Sequence, residues 1–277
     1  MSLRIHTNVS AMHGLRQLRM GTVASSRALE QLSSGLRINR ASDDAAGLAI
    51  SERLSAQVRG LAQASRNTQD ALSYMRVVDG ALSTMHDMTQ RMRELAVQAA
   101  NGTYSAAERA QLNAEFQGLK AETLNVLQTT TYNGRPIIDG MITPVRFQVG
   151  ANRFETLDAP VAPAAAIASY TAFSSAALTT LPTAQTAIRT LDGFIGTVSE
   201  IRGIYGAVAN RLEHTLDRLA VTHENLAAAN SRIRDADTAV AVMDLTRSQI
   251  RTRASVAMLA QANAQPGRVG RLLFGAS

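Results

Sequence analysis

The residues best able to do chemistry are five histidines, His6, His13, His86, His214 and His223, and the carboxylates Asp43, Asp44, Asp235 and Asp237. Two imidazoles one helical turn apart, with a glutamate beside the first, would bind zinc and activate a water. His223-Glu224 begins that pattern, but Ala227 stands where the second imidazole must be. The other histidines have no metal spacing. The carboxylates fall where helices are expected to begin, and there they cap free N–H groups without acid–base work. Gly267-Arg-Val-Gly270 and Gly134-Arg-Pro136 lack the spacing of phosphate loops, and no Ser occupies a nucleophile elbow. Without Cys there is no thiolate nucleophile, thiolate metal site or disulfide. These residues point to no catalytic site, no metal and no cofactor.

The surrounding sequence is built for long helices. Its 277 residues are 45% apolar but only 4% aromatic, with no Trp and six Pro. Four of those, at 144, 160, 163 and 182, fall in the middle, which leaves two flanks that can run as helix. The formal charge is +6, and Lys120 is the only lysine. Arginines spread at helical intervals among acids read as solvated faces and intersubunit ion pairs, not as a nucleic-acid footprint. The N-terminus has no apolar signal core, and no apolar run is long enough to cross a bilayer, so no membrane insertion is expected.

Periodicity divides the flanks. Residues 3 to 36 carry a helical rhythm through Ile5, Val9, Met12, Leu15, Leu18, Leu29, Leu32 and Leu36, broken at Gly35. A strict three-four alternation follows: Leu61, Ala64, Thr68, Ala71, Met75, Val78, Leu82, Met85, Thr89, Met92, Ala96, Ala99. That is a coiled-coil seam with two threonines in it. Ser105 and Glu108 form a capping-box signature for a third helix. Asn133-Gly134 predicts a turn, and residues 145–149 with 154–157 alternate as a hairpin does. Residues 159–183, rich in Ala, Ser, Thr and Pro, read as a short variable surface segment. A second seam, from Ile188 through Leu191, Val198, Tyr205, Leu212 and Leu219 to Ile233, needs the first as its partner. A last amphipathic stretch carries Val240, Met243, Ile250, Ala254, Met258 and Gln261 and is expected to end near Pro266-Gly267.

The expected fold is mainly α. It is a long antiparallel helical bundle or coiled coil, with paired N- and C-terminal helices and a small β-hairpin region in the middle of the chain. Apolar stripes at both termini look like surfaces awaiting identical neighbours, since such ends fray unless tied down.

At this point the residues become specific. Ile5-His-Thr-Asn8, Leu32–Asn39, Ala41–Ile50, Gln90–Gln98 and Tyr132-Asn-Gly134 resemble the N-terminal half of flagellin. Asn210–His214, Glu224–Leu226, Ser231–Asp235, Asp237 and Ala257–Asn263 resemble its C-terminal half. The resemblance implies a secreted, non-enzymatic structural subunit that polymerises into the extracellular bacterial flagellar filament and serves motility. It implies an inner-core coiled coil from residues 1–42 with 235–277, whose helices order on assembly and line the export channel. Residues 43–234 would form an outer-core helical bundle. Inner-core assembly is expected to use Ile5, Val9, Met12, Leu32, Leu36, Val240, Met243, Ile250 and Met258.

The same resemblance implies type III export and several partners: copies of itself, an export chaperone, a filament cap protein and hook–filament junction proteins. Arg91, Leu95 and Glu115 match the surface seen by the flagellin-sensing Toll-like receptor in innate immune recognition. Ser169, Thr171, Ser174, Ser175, Thr179 and Thr180 are candidates for O-linked sugars. Two alternatives remain: a hook–filament junction protein of the same superfamily, and a flagellin-like cell-surface protein that binds acidic polysaccharide. The basic ending from Gly267 to Ser277 departs from the family pattern and motivates the second.

Overall fold

A computed structural model describes residues 7–137, 145–159 and 172–275. Ile5, Ser169 and Thr171 therefore lie outside the described residues. Helix α1 spans Val9–Ser34, α2 Ala45–Ala99, α3 Ala106–Thr129, α4 Leu181–Arg234 and α5 Thr238–Phe274. Strands β1 (Thr131–Tyr132) and β2 (Arg135–Pro136) pair antiparallel, as do β3 (Arg146–Gln148) and β4 (Thr156–Asp158). The mainly α fold with small strand pairs in mid-chain is as expected.

Local chemistry sets these boundaries. The α1 helix stops at Gly35, whose φ of +70° lets its N–H return to the Gln31 carbonyl. Asp44 starts α2 by accepting from the Gly47 amide at 2.8 Å, and Asp237 starts α5 by accepting from the amides of Ala239 and Val240. Ser105 and Glu108 complete the capping box at α3. Asn133 and Gly134 both adopt positive φ, as a two-residue hairpin turn requires.

By contact the chain divides into two compact units, Met1–Gln57 with Asn225–Ser277, and Val58–Glu224. In the second unit the seam of α2 is buried at all twelve positions that the alternation marked. The two threonines are tolerated because their hydroxyls donate to carbonyls one turn back, Thr68 to Ala64 and Thr89 to Met85. Facing this seam are Ala184, Ala187, Leu191, Phe194, Val198, Ile201, Tyr205, Val208 and Leu212 of α4. Ion pairs Arg93–Asp192 and Arg202–Asp79 at its rim fix an antiparallel register. Helix α3 covers another face of α2, with Phe116 buried and the Thr123 hydroxyl 3.8 Å from the Met88 sulfur. Both hairpins dock on Tyr74, whose ring lies 5.6 Å from Tyr132 and 5.6 Å from Phe147, edge to face.

Two expectations need correction. Within the 159–183 segment, residues 172–180 are a packed strap. Phe173 and Leu178 are fully buried, Phe173 stacks on Phe194 at 4.4 Å, and one polar face of α3 holds the strap's backbone through Asn113, Gln117 and Lys120. Two large apolar residues outweigh the polar composition around them. Secondly, α5 does not end near Pro266 but continues through it to Phe274. Proline removes the N–H that would bond the carbonyl four residues back. That carbonyl, of Ala262, accepts instead from the Asn8 side-chain amide at 2.8 Å.

Candidate assembly surface

Within the terminal unit α1 and α5 pack antiparallel, as Gly14 against Leu259 and Gly21 against Thr252 show. The covered face of α1 runs Ala11, Gly14, Leu18, Gly21, Ser25, Ala28, Leu32, and that of α5 runs Ala241, Leu245, Ser248, Thr252, Ser255, Leu259, Ala262. Both lists obey the three-four alternation of a coiled coil, but most members are small. At Gly21 a Cβ would fall 2.7 Å from the Thr252 hydroxyl, so the two helices pass too close for any side chain there. Asn8 ties the far end, capping α1 through its carbonyl oxygen while its amide reaches Ala262.

The near end is held by the turn between α1 and α2. Leu36 bridges Asp235, the Arg37 amide donates to the Arg234 carbonyl, and the Ala236 amide to the Gly35 carbonyl. The Arg37 guanidinium caps the last turn of α4 by donating to Ile233. Ion pairs Arg27–Asp43, Arg40–Glu30 and Arg234–Glu52 surround this junction. The Arg40 amide, with the Asn39 amide and the Arg27 guanidinium, holds the Asp43 carboxyl below the usual carboxylate range.

A seam of small residues hides few methylenes, and the larger apolar side chains stay outside it. Val9, Met12, Leu15, Met20, Val23 and Leu29 of α1, and Val240, Val242, Met243, Ile250, Val256 and Met258 of α5, are 43–69% exposed. By helical position they occupy both flanks and the back of the pair. A groove of about 1130 Å³ runs along one flank, floored by Gly14, Gly21, Ala28, Ser248 and Ala262 and walled in part by Met20 and Met258. Of the inner-core residues read from the sequence, Val9, Met12, Val240, Met243, Ile250 and Met258 share this exposed surface, whereas Leu32 and Leu36 are half-buried at the junction. Leu15, Met20, Val23, Leu29, Val242 and Val256 belong to the same surface and are not among the assembly residues read from the sequence. The three-four pattern of small residues was the signal that could have found them.

The three candidate receptor-facing residues do not stay together. Arg91 donates to Glu115 at 2.9 Å and to Glu94 at 3.0 Å, forming an exposed cluster in which Glu115, then Glu94, raises the guanidinium pKa. Leu95 is 1% exposed and lies in the core, because α3 covers that face of α2. On the strap, Ser174, Ser175, Thr179 and Thr180 are exposed. The Ser175 hydroxyl donates to the Ala172 carbonyl, and that of Thr180 accepts from the Thr183 amide at the start of α4. Among the described residues no group of three or more His, Asp or Glu side chains is placed to hold a metal, and no helix is long and apolar enough to cross a membrane.

Comparison with known proteins gives the family. Residues 5–143 match the bacterial flagellin N-terminal helical region, and residues 188–273 the bacterial flagellin C-terminal helical region. The chain is 47% identical over 269 residues to a flagellin of Halalkalibacterium halodurans, covering 97% of this chain and 99% of that one. It is 40% identical over 303 residues to a flagellin of Bacillus subtilis, covering 98% and 100%. A solved putative flagellar hook-associated protein from Vibrio parahaemolyticus superposes with a TM-score of 0.55 over 70% of this chain and 100% of its own, at 12% identity, a likeness of fold alone.

Proposed function

Because the chain belongs to the bacterial flagellin family and is a structural subunit of the flagellar filament, not an enzyme, we propose that its terminal helix pair is the part that copies of itself enclose. The observation that carries this reading is the inverted pair. Small residues fill the seam, while twelve larger apolar side chains face outward on both flanks and the back. Large apolar side chains left on several faces of a helix pair, among charged ones, favour cover by a neighbour. Each half-exposed side chain gains about 1 kcal/mol on full burial, so the set supplies on the order of 10 kcal/mol per subunit before ordering costs. Heterologous contacts of this kind, repeated by a rotation that does not close, give a helical filament.

In this reading residues 1–42 and 235–277 form the inner layer lining the export channel and become ordered on incorporation, and residues 43–234 form the outer layer. The subunit is secreted, with an export chaperone covering the C-terminal helices, a cap protein guiding insertion and junction proteins seating the first subunits. The family matches do not favour a junction protein or a polysaccharide-binding surface protein. Arg91 and Glu115, without Leu95, form the surface offered to the flagellin-sensing Toll-like receptor. Ser174, Ser175, Thr179 and Thr180 are the described hydroxyls on which O-linked sugars would be carried.

The test is seeded elongation followed by electron microscopy. Full-length chain should extend filament seeds. Ile250→Asp with Val23→Asp should not, while circular dichroism shows helix content retained. Extension at the normal rate by the double variant would overturn the assignment of this surface. For the receptor reading, Arg91→Ala should weaken the response of reporter cells to monomer, and an unchanged response would refute it.

A further inference from the structure

Among the described residues the methionines sort by unit. In the second unit Met75, Met85 and Met92 are 0–2% exposed, and Met88 is half-buried against Thr123. In the terminal unit Met12, Met20, Met243 and Met258 are 59%, 51%, 57% and 69% exposed. Met20 and Met258 both line one groove. A thioether is the most easily oxidised of the apolar side chains, and this chain has no Cys to intercept an oxidant first. We propose that these four methionines are oxidation sites through which peroxide switches off self-association of the free subunit.

The chemistry is a two-electron oxygen transfer. A sulfur lone pair attacks the electrophilic oxygen of hydrogen peroxide, the S–O bond forms and the O–O bond breaks. The departing oxygen leaves as water after proton transfer, so sulfur is oxidised and peroxide reduced. The product carries a strongly polar S–O group where a bare sulfur stood. Outside, facing water, that change costs the subunit little. Against the apolar face of a neighbour the oxygen has no donor, and each sulfoxide weakens the contact by about tenfold. The core methionines escape because no oxidant reaches them. Once the surface is enclosed by copies the four sulfurs are out of reach too, so the sensitivity belongs to the subunit and not to the finished filament. The inference rests on the reading that copies cover these faces.

Full-length subunits would be treated with hydrogen peroxide under native conditions, mapped by peptide mass spectrometry and offered to untreated seeds. The expected result is sulfoxide at the four exposed positions before Met75, Met85 and Met92, with elongation reduced at least tenfold. Methionine sulfoxide reductases should restore it. The variant M12L/M20L/M243L/M258L should elongate at the same rate before and after the identical treatment, whatever that rate is, and preformed filaments should resist oxidation at these positions. Unchanged elongation by subunits fully oxidised at the four sites, or equal loss in the Leu variant, overturns the inference alone. Untreated subunits that fail to extend seeds overturn the assembly reading and this inference with it.

Discussion

A glycine in the middle of a helix ordinarily costs about 0.5–1 kcal/mol relative to alanine. Gly80 in α2 is such a case, since a Cβ there meets nothing within 4 Å, and Gly80→Ala should be stabilising by that amount. Gly21→Ala should go the other way. Its Cβ would lie 2.7 Å from the Thr252 hydroxyl, while the next atoms, the Thr252 Cα and N, are at 3.7 Å. The hydroxyl is not free to swing away at no cost, because it donates to the Ser248 carbonyl at 2.8 Å. Breaking that bond costs about 1 kcal/mol, and separating the helices costs about 1–3 kcal/mol in lost packing. After the gain in helix propensity is subtracted, Gly21→Ala is destabilising by about 1 kcal/mol, roughly a fivefold rise in the critical concentration for elongation. Thr252→Ala removes the one close atom, so the double variant should recover the propensity gain, with a coupling energy of about 1–2 kcal/mol. Critical concentration and hydrogen exchange across α1 measure both quantities. If Gly21→Ala strengthens the pair as Gly80→Ala strengthens its own helix, or if the coupling is under about 0.3 kcal/mol, the close small-residue seam is not what holds α1 to α5.

Four further outcomes follow from the geometry. Asn8→Ala should cost about 1–2 kcal/mol in the presence of Pro266 and less in a Pro266→Ala background, where the Ala262 carbonyl regains its own helix partner; amide exchange in the first turn of α1 reports the difference. Asp43 has a lowered pKa, so its contribution is fully present above the unfolded carboxylate value of 3.8 and is lost as pH falls through the folded value below it. Asp43→Asn should remove that acid step from the exchange of the Asn39 and Arg40 amides. Lys120→Met should free the backbone of residues 174–176 and speed limited proteolysis of the strap. The surplus of arginine over acid falls in the terminal unit, so elongation should accelerate as salt rises from about 10 mM toward 0.15 M and screens repulsion between copies.

The outer bundle was legible because its three-four alternation is unbroken and large apolar residues such as Met75, Val78, Leu82, Met85 and Met92 mark its middle. Leu61 to Ala99 could be read as a seam from spacing alone, and every position is buried. The α4 seam was read less sharply, since its apolar stripe is wider than two positions per heptad. Ile188 and Ala209 flank a line that runs through Ala187 and Val208. The terminal pair was legible as helix but not in its facing. Hydrophobic periodicity picked out Val240, Met243, Ile250 and Met258, which lie outside the contact line with α1, while the true contact runs through Ala241, Ser248 and Thr252. A scale that ranks residues by apolarity cannot see a seam chosen for smallness. Leu95 shows the opposite limit: its spacing from Arg91 placed both on one helix face, and only α3 lying against α2 separates them. The strap could have been suspected from Phe173 and Leu178, two large apolar residues in a segment otherwise too polar to anchor itself.

The bond between Asn8 and Ala262 spans 254 positions of sequence, which gives the subunit a test of completeness. Helix α1 has neither its mate nor its second tether until Thr238–Phe274 has been made and delivered. A product that stops before α5 keeps the residues of the second compact unit, yet its α1 arrives alone, with glycines where a partner should be. Such a fragment would fold in its middle and be refused at the growing end, so breakage or premature termination would shorten the supply of subunits without planting defects in the polymer.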